Sequence, residues 1–429
     1  MSKQLSFDTV YKTEAYQKHL KKRYRSEKKF QNIGISSILL AFLFLAILLT
    51  AISIKAYSAF FVTKMILPIH LNAKYISTEV IDGETKVKRV RANIILKQSL
   101  ADKFKGAKTR REKASLYFFI SENSKNQLSE YIKNNPDKIG QTLEIWFKAS
   151  SKIDQFYKGN IASDSAVISD LERSWFDQLD EEKNIKSFFN WQFFSLGDST
   201  RPESAGIYTS LIGSLFMMFV FMLMSFPLGI LSAIYLEEFA PKNKLTDIIE
   251  ININNLAGIP SVIFGLLGLS VFINFFGMPR SSALVGGLTL SLLVLPTIII
   301  AARNSIRAIP KSIRDGALAL GASPYQVVFH YVFPLALPGI FTGTILAIAR
   351  ALGETAPLLM VGMVAFITSA PTDIKSPTTV LPVQVYLWSD KPEIGFVEKT
   401  SAAILCLIIF LFLINLVAII LRQKFSKKW

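Results

Sequence analysis

Six stretches of this chain are apolar for about the thickness of a bilayer, and nothing else limits its fold so strongly. The first, "NIGISSILLAFLFLAILLTAIS" at 32 to 53, runs for about 22 residues. At 1.5 Å per residue that crosses a hydrocarbon core of ~30 Å. The others lie at 207 to 236, 256 to 277, 282 to 302, 334 to 366 and 401 to 421. Composition agrees: 51% of the 429 residues are hydrophobic and mean hydropathy is +0.36. A membrane protein of helical class is expected.

The net charge of +16 raises nucleic acid as a partner. The aromatic residues sit in the apolar runs, apart from the basic clusters, so the charge reads instead as membrane-surface charge facing lipid headgroups. The single cysteine, Cys406, lies in an apolar run, which rules out an internal disulfide and a clustered-cysteine metal site. His19, His70 and His330 are far apart in sequence and read as surface or structural residues. No cofactor is implied.

Residues 1 to 31 form a basic tail, with seven Lys or Arg in "KHLKKRYRSEKK". A cleaved signal peptide is the rival to a retained helix at 32 to 54. The apolar core is longer than a typical signal core, starts late and lacks a clear small-residue cleavage site, so a retained helix is expected. Residues 55 to 205 change character, being rich in Lys, Glu, Asp, Asn and Ser. "YISTEVIDGETKVKRVRANIIL" reads as a hairpin turning at Asp82-Gly83. "QTLEIWFKASSKIDQFY" reads as amphipathic helix, and "KVKRVR" at 86 to 91 as a solvated strand face. The segment forms one α+β domain large enough for its own core.

Topology follows from charge and parity. Both termini are basic beside a span, the second tail being 423 to 429, so both are expected in the cytoplasm. Arg303, Arg307, Lys311 and Arg314 put 303 to 314 on the same side. The 33 residues from 334 to 366 then count as one crossing. A straight helix of that length would reach about 50 Å, so it must break, with Gly353 and Pro357 as the obvious places. The 30-residue run 207 to 236 must tilt, kink at Pro227 or protrude. This leaves 55 to 205 outside and five spans in 206 to 422.

Two stretches carry function. The cytoplasmic segment 303 to 333 has apolar and small residues at helical spacing, broken at Gly321 and Pro324, which suggests two short helices at a bend. It contains Asp315-Gly316-Ala317, then three residues, Gly321, nine residues and Tyr331-x-Phe333-Pro334. That spacing resembles the coupling motif of bacterial ABC importer permeases, Glu-Ala-Ala, three residues, Gly, nine residues, Ile-x-Leu-Pro. The departures are Asp for Glu, Gly for Ala, Tyr for Ile and Phe for Leu. Together with "NNLAGIPSVIFGLLGL", "GALALGASPYQVV" and "ARALGETAPLL", the chain over about 206 to 421 resembles the PstA family of phosphate-specific transport permeases. Its outer domain resembles the extension of a subgroup of them.

The resemblance implies a six-span type I ABC importer permease with an inserted extracytoplasmic α+β domain. It also implies an ATP-binding subunit docked on the coupling segment, a companion permease, an extracytoplasmic phosphate-binding protein and phosphate as cargo. Coupling would run through Arg314, Asp315, Gly316, Ala317, Gly321, Ala322 and Pro334. No G-x-x-x-x-G-K-[ST] occurs, so the chain has no phosphate-binding loop of its own for ATP, and the permease is not an enzyme.

The second stretch is "AIARALGETAPLLMVGMVAF", 347 to 366. An Arg at a helix centre costs roughly 2.5 to 3.5 kcal/mol. Arg350 and Glu354 are four apart and share a helix face. A hydrated anion needs replacement donors, which an Arg fork and hydroxyls such as those of Thr344 and Thr355 supply. The pathway candidates are therefore Arg350, Glu354, Thr355 and Thr344. The same pair could be a structural ion pair, or Arg350 could snorkel to the outer surface if the span starts at Pro334. Arg280 and Arg303, at span ends, read as anchors. Gly339 and Gly343 form a GxxxG pair suited to close helix approach. Two other functions stay open: a permease for another oxyanion or small solute, and a membrane-anchored sensor acting through its outer domain.

Overall fold

The computed structural model describes residues 14–81, 84–162 and 165–425. The proposed turn at Asp82-Gly83 and the last four residues of the basic tail lie outside the described residues. The chain divides into two units, Met1–Ile54 and Lys55–Trp429.

The first unit carries most of helix α1, Glu14–Ala59. The helix extends through the basic segment as well as the apolar run, because Lys, Arg and Glu are all good helix formers. From Ile33 to Leu48 its large apolar side chains are exposed. A helix apolar on every face suits lipid.

The second unit begins with strand β1, Phe61–His70, the centre of a three-stranded antiparallel sheet ordered β4-β1-β5. Its partners are β4, Thr142–Lys148, and β5, Ile185–Phe189. Thr63, Met65, Leu67 and Ile69 are buried, the period of two of a half-covered strand. Pro68 is tolerated because β5 pairs only with Phe61 to Met65, so β1 is an edge on that side farther on. Strands β2, Ile76–Ile81, and β3, Glu84–Val90, form the expected hairpin, and Lys88 and Arg89 on it are exposed.

"QTLEIWFK" is a correction: it is strand β4 rather than helix, and only Ser151–Tyr157 (α5) continues as helix. The segment is short, aromatic and β-branched, and pairing with β1 decides it. Helices α2 (Ala92–Lys103), α3 (Arg110–Tyr117), α4 (Ser124–Asn134) and α6 (Asp170–Glu181) complete this domain. Phe104, Phe119 and Trp175 meet in its core at centroid distances of 5.7 to 6.1 Å.

The apolar remainder is helical. α7, Tyr208–Ile234, runs through Pro227 and ends in a π turn, Tyr235–Phe239. α8, Lys244–Ala257, meets α9, Ser261–Leu267 with its π continuation to Phe275, at 107°. The run 256 to 277 is therefore not one straight span. Pro260 denies its predecessor helical geometry, and the helix stops at Gly258. α10, Ala283–Arg307, packs along α7 through Gly287, where a Cβ would sit 2.7 Å from Val220 Cβ. α11, Lys311–Ala319, leads by a tight turn to a helix that starts at Pro324 and becomes α12, Phe333–Gly353. Short α13, Ala356–Met360, α14, Leu381–Ser389, and the 32-residue α15, Ile394–Phe425, follow. By length and composition, five helices among the described residues can cross a membrane, or six with the bent pair.

The extra domain and the helices share one buried seam. Lys158 Nζ lies 2.6 Å from Asp154 and 3.0 Å from Glu398 on α15. Asp154 also accepts from the Thr63 N–H at 2.8 Å. Lys399 Nζ donates to the Ala59 carbonyl, and Trp388 Nε1 to Asp198, at 3.2 and 2.8 Å.

Candidate functional site

α12 ends at Gly353, one of the two expected break points, and the chain passes through extended Glu354 into α13. Packing against α10 fixes the level of this break along the helices. A Cβ on Gly339 would collide with Ser305, and one on Gly343 with Ala301. The GxxxG pair therefore lies on α10, and the two helices run antiparallel in steps of four. Carrying that register seven residues past Gly343 sets Arg350 level with Val294, near the middle of α10. Measured from Gly339, beside the Arg307 end of α10, Arg350 is eleven residues or about 16 Å along the axis.

Arg350 Nε stands 3.7 Å from Glu354 Oε1, with the two side chains 40% and 22% exposed. Its Nη groups make no hydrogen bond among the described residues. Gly353 beside it faces open space, and Thr355 is half-buried with its hydroxyl free of any capping bond. Thr344 stands apart. It is 3% exposed and its hydroxyl donates to the Ile340 carbonyl at 2.9 Å. Six residues before Arg350, it is on another face of the helix. The floor under the break is α9, where Gly265 lies against Pro357 and Met360, and Gly268 against Thr289 and Val361.

The turn at Gly321 is built as tightly as its spacing suggests. Gly321 has φ +87°, a conformation costly for any residue with a Cβ. The Ala322 N–H bonds the Ala317 carbonyl at 3.2 Å and the Gly321 N–H bonds Leu318 at 2.9 Å, a Schellman closure of α11. Ser323 then caps the next helix in a capping box with Gln326. Ala317 is buried against Val327, Val328 and Val332. The tip points outward: Leu320 is 86% exposed, Tyr325 61% and Leu318 47%. Asp315 and Gly316 are exposed. Pro334 follows a π segment, Val327–Val332, whose wider turn accommodates its ring.

Arg314 is turned inward. Its guanidinium meets Glu238 at 2.6 Å and the carbonyls of Ile309 and Ile306 at 2.6 and 3.0 Å. Arg303 is likewise no simple anchor. It is 9% exposed and lies 2.5 Å from Glu250 and 3.5 Å from Glu237, which also holds Arg307 at 3.0 Å. The ends of α7 and α10 thus join α8 and α11 in one layer of alternating charge. Sequence reading missed this layer. The adjacent Glu237 and Glu238 at a span end were the available signal.

Comparison with known proteins converges on the same region. The family model described as "Binding-protein-dependent transport system inner membrane component" matches residues 225–429. The probable ABC transporter permease protein YqgI of Bacillus subtilis (strain 168) is 31% identical over 260 residues, covering 57% of this chain and 87% of that protein. The phosphate transport system permease protein PstA 1 of Mycobacterium tuberculosis (strain CDC 1551 / Oshkosh) is 34% identical, covering 52% and 72%.

The chain belongs to the PstA-type ABC transporter permeases. It is an integral inner-membrane subunit and not itself an enzyme. In such a system a separate ATPase subunit hydrolyses ATP and an external binding protein delivers the cargo. Ahead of the shared core, residues 17–166 of this PstA-type permease match a second family model, "Domain of unknown function (DUF3333)". Among solved structures, the inward-facing MetNI methionine ABC transporter aligns with 52% of this chain and 95% of that one, at 19% identity and TM-score 0.40.

Proposed function

We propose that this permease imports inorganic phosphate, with a companion permease completing the pathway and both termini in the cytoplasm. The observation that carries the proposal is the Arg350–Glu354 pair, which stands on a part-exposed face level with the middle of α10, where α12 breaks. A charge within a membrane span faces protein or a water-filled cavity rather than lipid. The names of the PstA relatives supply the anion.

The chemistry fits a hydrated oxyanion. Glu354 stands 3.7 Å from Arg350 Nε and forms no hydrogen bond with it, so the guanidinium can present its Nη groups as a fork to two phosphate oxygens. Glu354 keeps the guanidinium oriented until cargo competes for it. Thr355 offers a hydroxyl at the break, and Thr344 contributes to packing. At the cytoplasmic side the exposed Leu318, Leu320 and Tyr325 are the knobs that seat in the ATPase. Asp315, Gly316, Gly321 and Ala322 shape the turn that presents them.

The test is uptake of radiolabelled phosphate in a deletion strain carrying Arg350→Gln. Uptake is expected to fall at least tenfold, the order of losing one charged hydrogen-bonding partner, while the variant still co-purifies with its ATPase. Wild-type uptake in that strain would remove Arg350 from the mechanism.

A further inference from the structure

The outer domain carries a concave surface that the permease core does not explain. Three adjoining hollows of about 360, 490 and 450 Å³ run across α2, α3, α4 and the end of β3. Neighbouring hollows share Asn93 and Lys125 on one side and Ala114 and Tyr117 on the other, so they form one trough. Arg89, Arg91, Lys97, Arg110, Lys113 and Lys125 line it, against a single lining carboxylate, Glu122.

That carboxylate is engaged, 3.1 Å from Lys125 and 3.7 Å from Arg201. Glu112 on α3 is committed to its own helix start, where it accepts from the Lys108 and Thr109 N–H groups at 2.7 and 3.0 Å. Asp102 and Glu130, on the flanking helices, line none of the three hollows. Lys97 sits over the Tyr117 ring at 4.7 Å. Among the described residues, Arg89, Arg91, Arg110 and Lys113 have no carboxylate within ion-pair distance. All four are exposed.

We infer that this trough is a docking surface for the acidic face of the soluble substrate-binding protein. Three observations carry the assignment. Six like-signed cations, four of them (Arg89, Arg91, Arg110 and Lys113) without a carboxylate partner among the described residues, are spread over a long open surface, which matches an extended acidic partner better than one small ion. The domain is tied to α15 through the buried Lys158–Glu398 and Lys399–Ala59 contacts, so a partner held there is held in register with the permease. The family depends on a binding protein, which must engage the outer side. Complementary charge of this kind speeds encounter and fixes orientation, and salt weakens it. The inference rests on the importer reading, and is independent of whether the cargo is phosphate.

The experiment uses the assembled transporter in nanodiscs and the binding protein of the same system. Affinity is measured at two salt concentrations for wild type and for a variant carrying Arg89→Glu, Arg91→Glu, Arg110→Glu and Lys113→Glu. Wild-type affinity is expected to drop with salt. The variant is expected to bind at least tenfold more weakly and with little salt dependence, while basal ATP hydrolysis without binding protein is unchanged. Equal affinity and equal salt dependence would overturn the assignment. So would loss of polyphosphate binding with binding-protein affinity intact, which would make the trough a polyanion site. Should the fourfold variant fail to assemble, the single Arg91→Glu and Arg110→Glu variants are judged by the same criteria. An Arg350→Gln transporter that stops importing yet docks normally separates this inference from the pathway proposal.

Discussion

Lys148 carries a pH-dependent cost. Burial, with Lys399 as a like-charged neighbour, pushes its amine from the usual 10.5 to about 8. Between those values the unfolded chain binds more protons than the folded one, so stability rises with pH there. Below about 8 the penalty is present in full; it is relieved as the pH climbs toward 10.5. Thermal unfolding of the detergent-purified protein should therefore show a gain in Tm from pH 7.5 to 9.5 that shrinks in Lys148→Met. An identical slope in both proteins would show that Lys148 titrates normally. Arg350 and Lys148 also differ in legibility. A charge in an apolar run is visible in sequence, because its cost is local. Lys148 looks like any surface lysine until the domain closes over it.

At the scale of elements, Gly321 bears most directly on coupling. Its φ of +87° makes Gly321→Val cost of order 1 to 2 kcal/mol locally. The change should open the turn that projects Leu320, lowering ATPase co-purification while the protein still reaches the membrane. Unchanged co-purification would mean that the turn does not set the docking surface. Long apolar helices were legible because lipid imposes one length and one polarity. The 107° corner between α8 and α9 was not, since "NNLAGIPSVIFG" is apolar on both sides of it and only Pro260 marks the place. Strands β1 and β4 were missed for another reason. Seven or ten residues satisfy helical and strand patterns about equally, and their pairing partners are far away in the chain.

At the scale of the molecule, the extra domain and the helical core are joined through a buried seam. Lys158 is 9% exposed between Asp154 and Glu398, each 5% exposed. Removing one partner of a buried ion cluster costs about 3 to 5 kcal/mol, because the remaining charges stay buried. Lys158→Ala should therefore lower the thermal stability of the whole permease by several degrees. Two separate unfolding transitions, with only the first shifted, would show the domain to be an independent appendage.

The contact of α12 with α10 has a mechanical consequence. Gly339 on Ser305 and Gly343 on Ala301 set small residues against small residues, beside layers where Ile340 of α12 and Ile299 and Ile306 of α10 are buried in one cluster. At those two points it is the missing side chains that let the backbones meet. Leucine at either glycine would be forced against Ser305 or Ala301 and is expected to part the two helices.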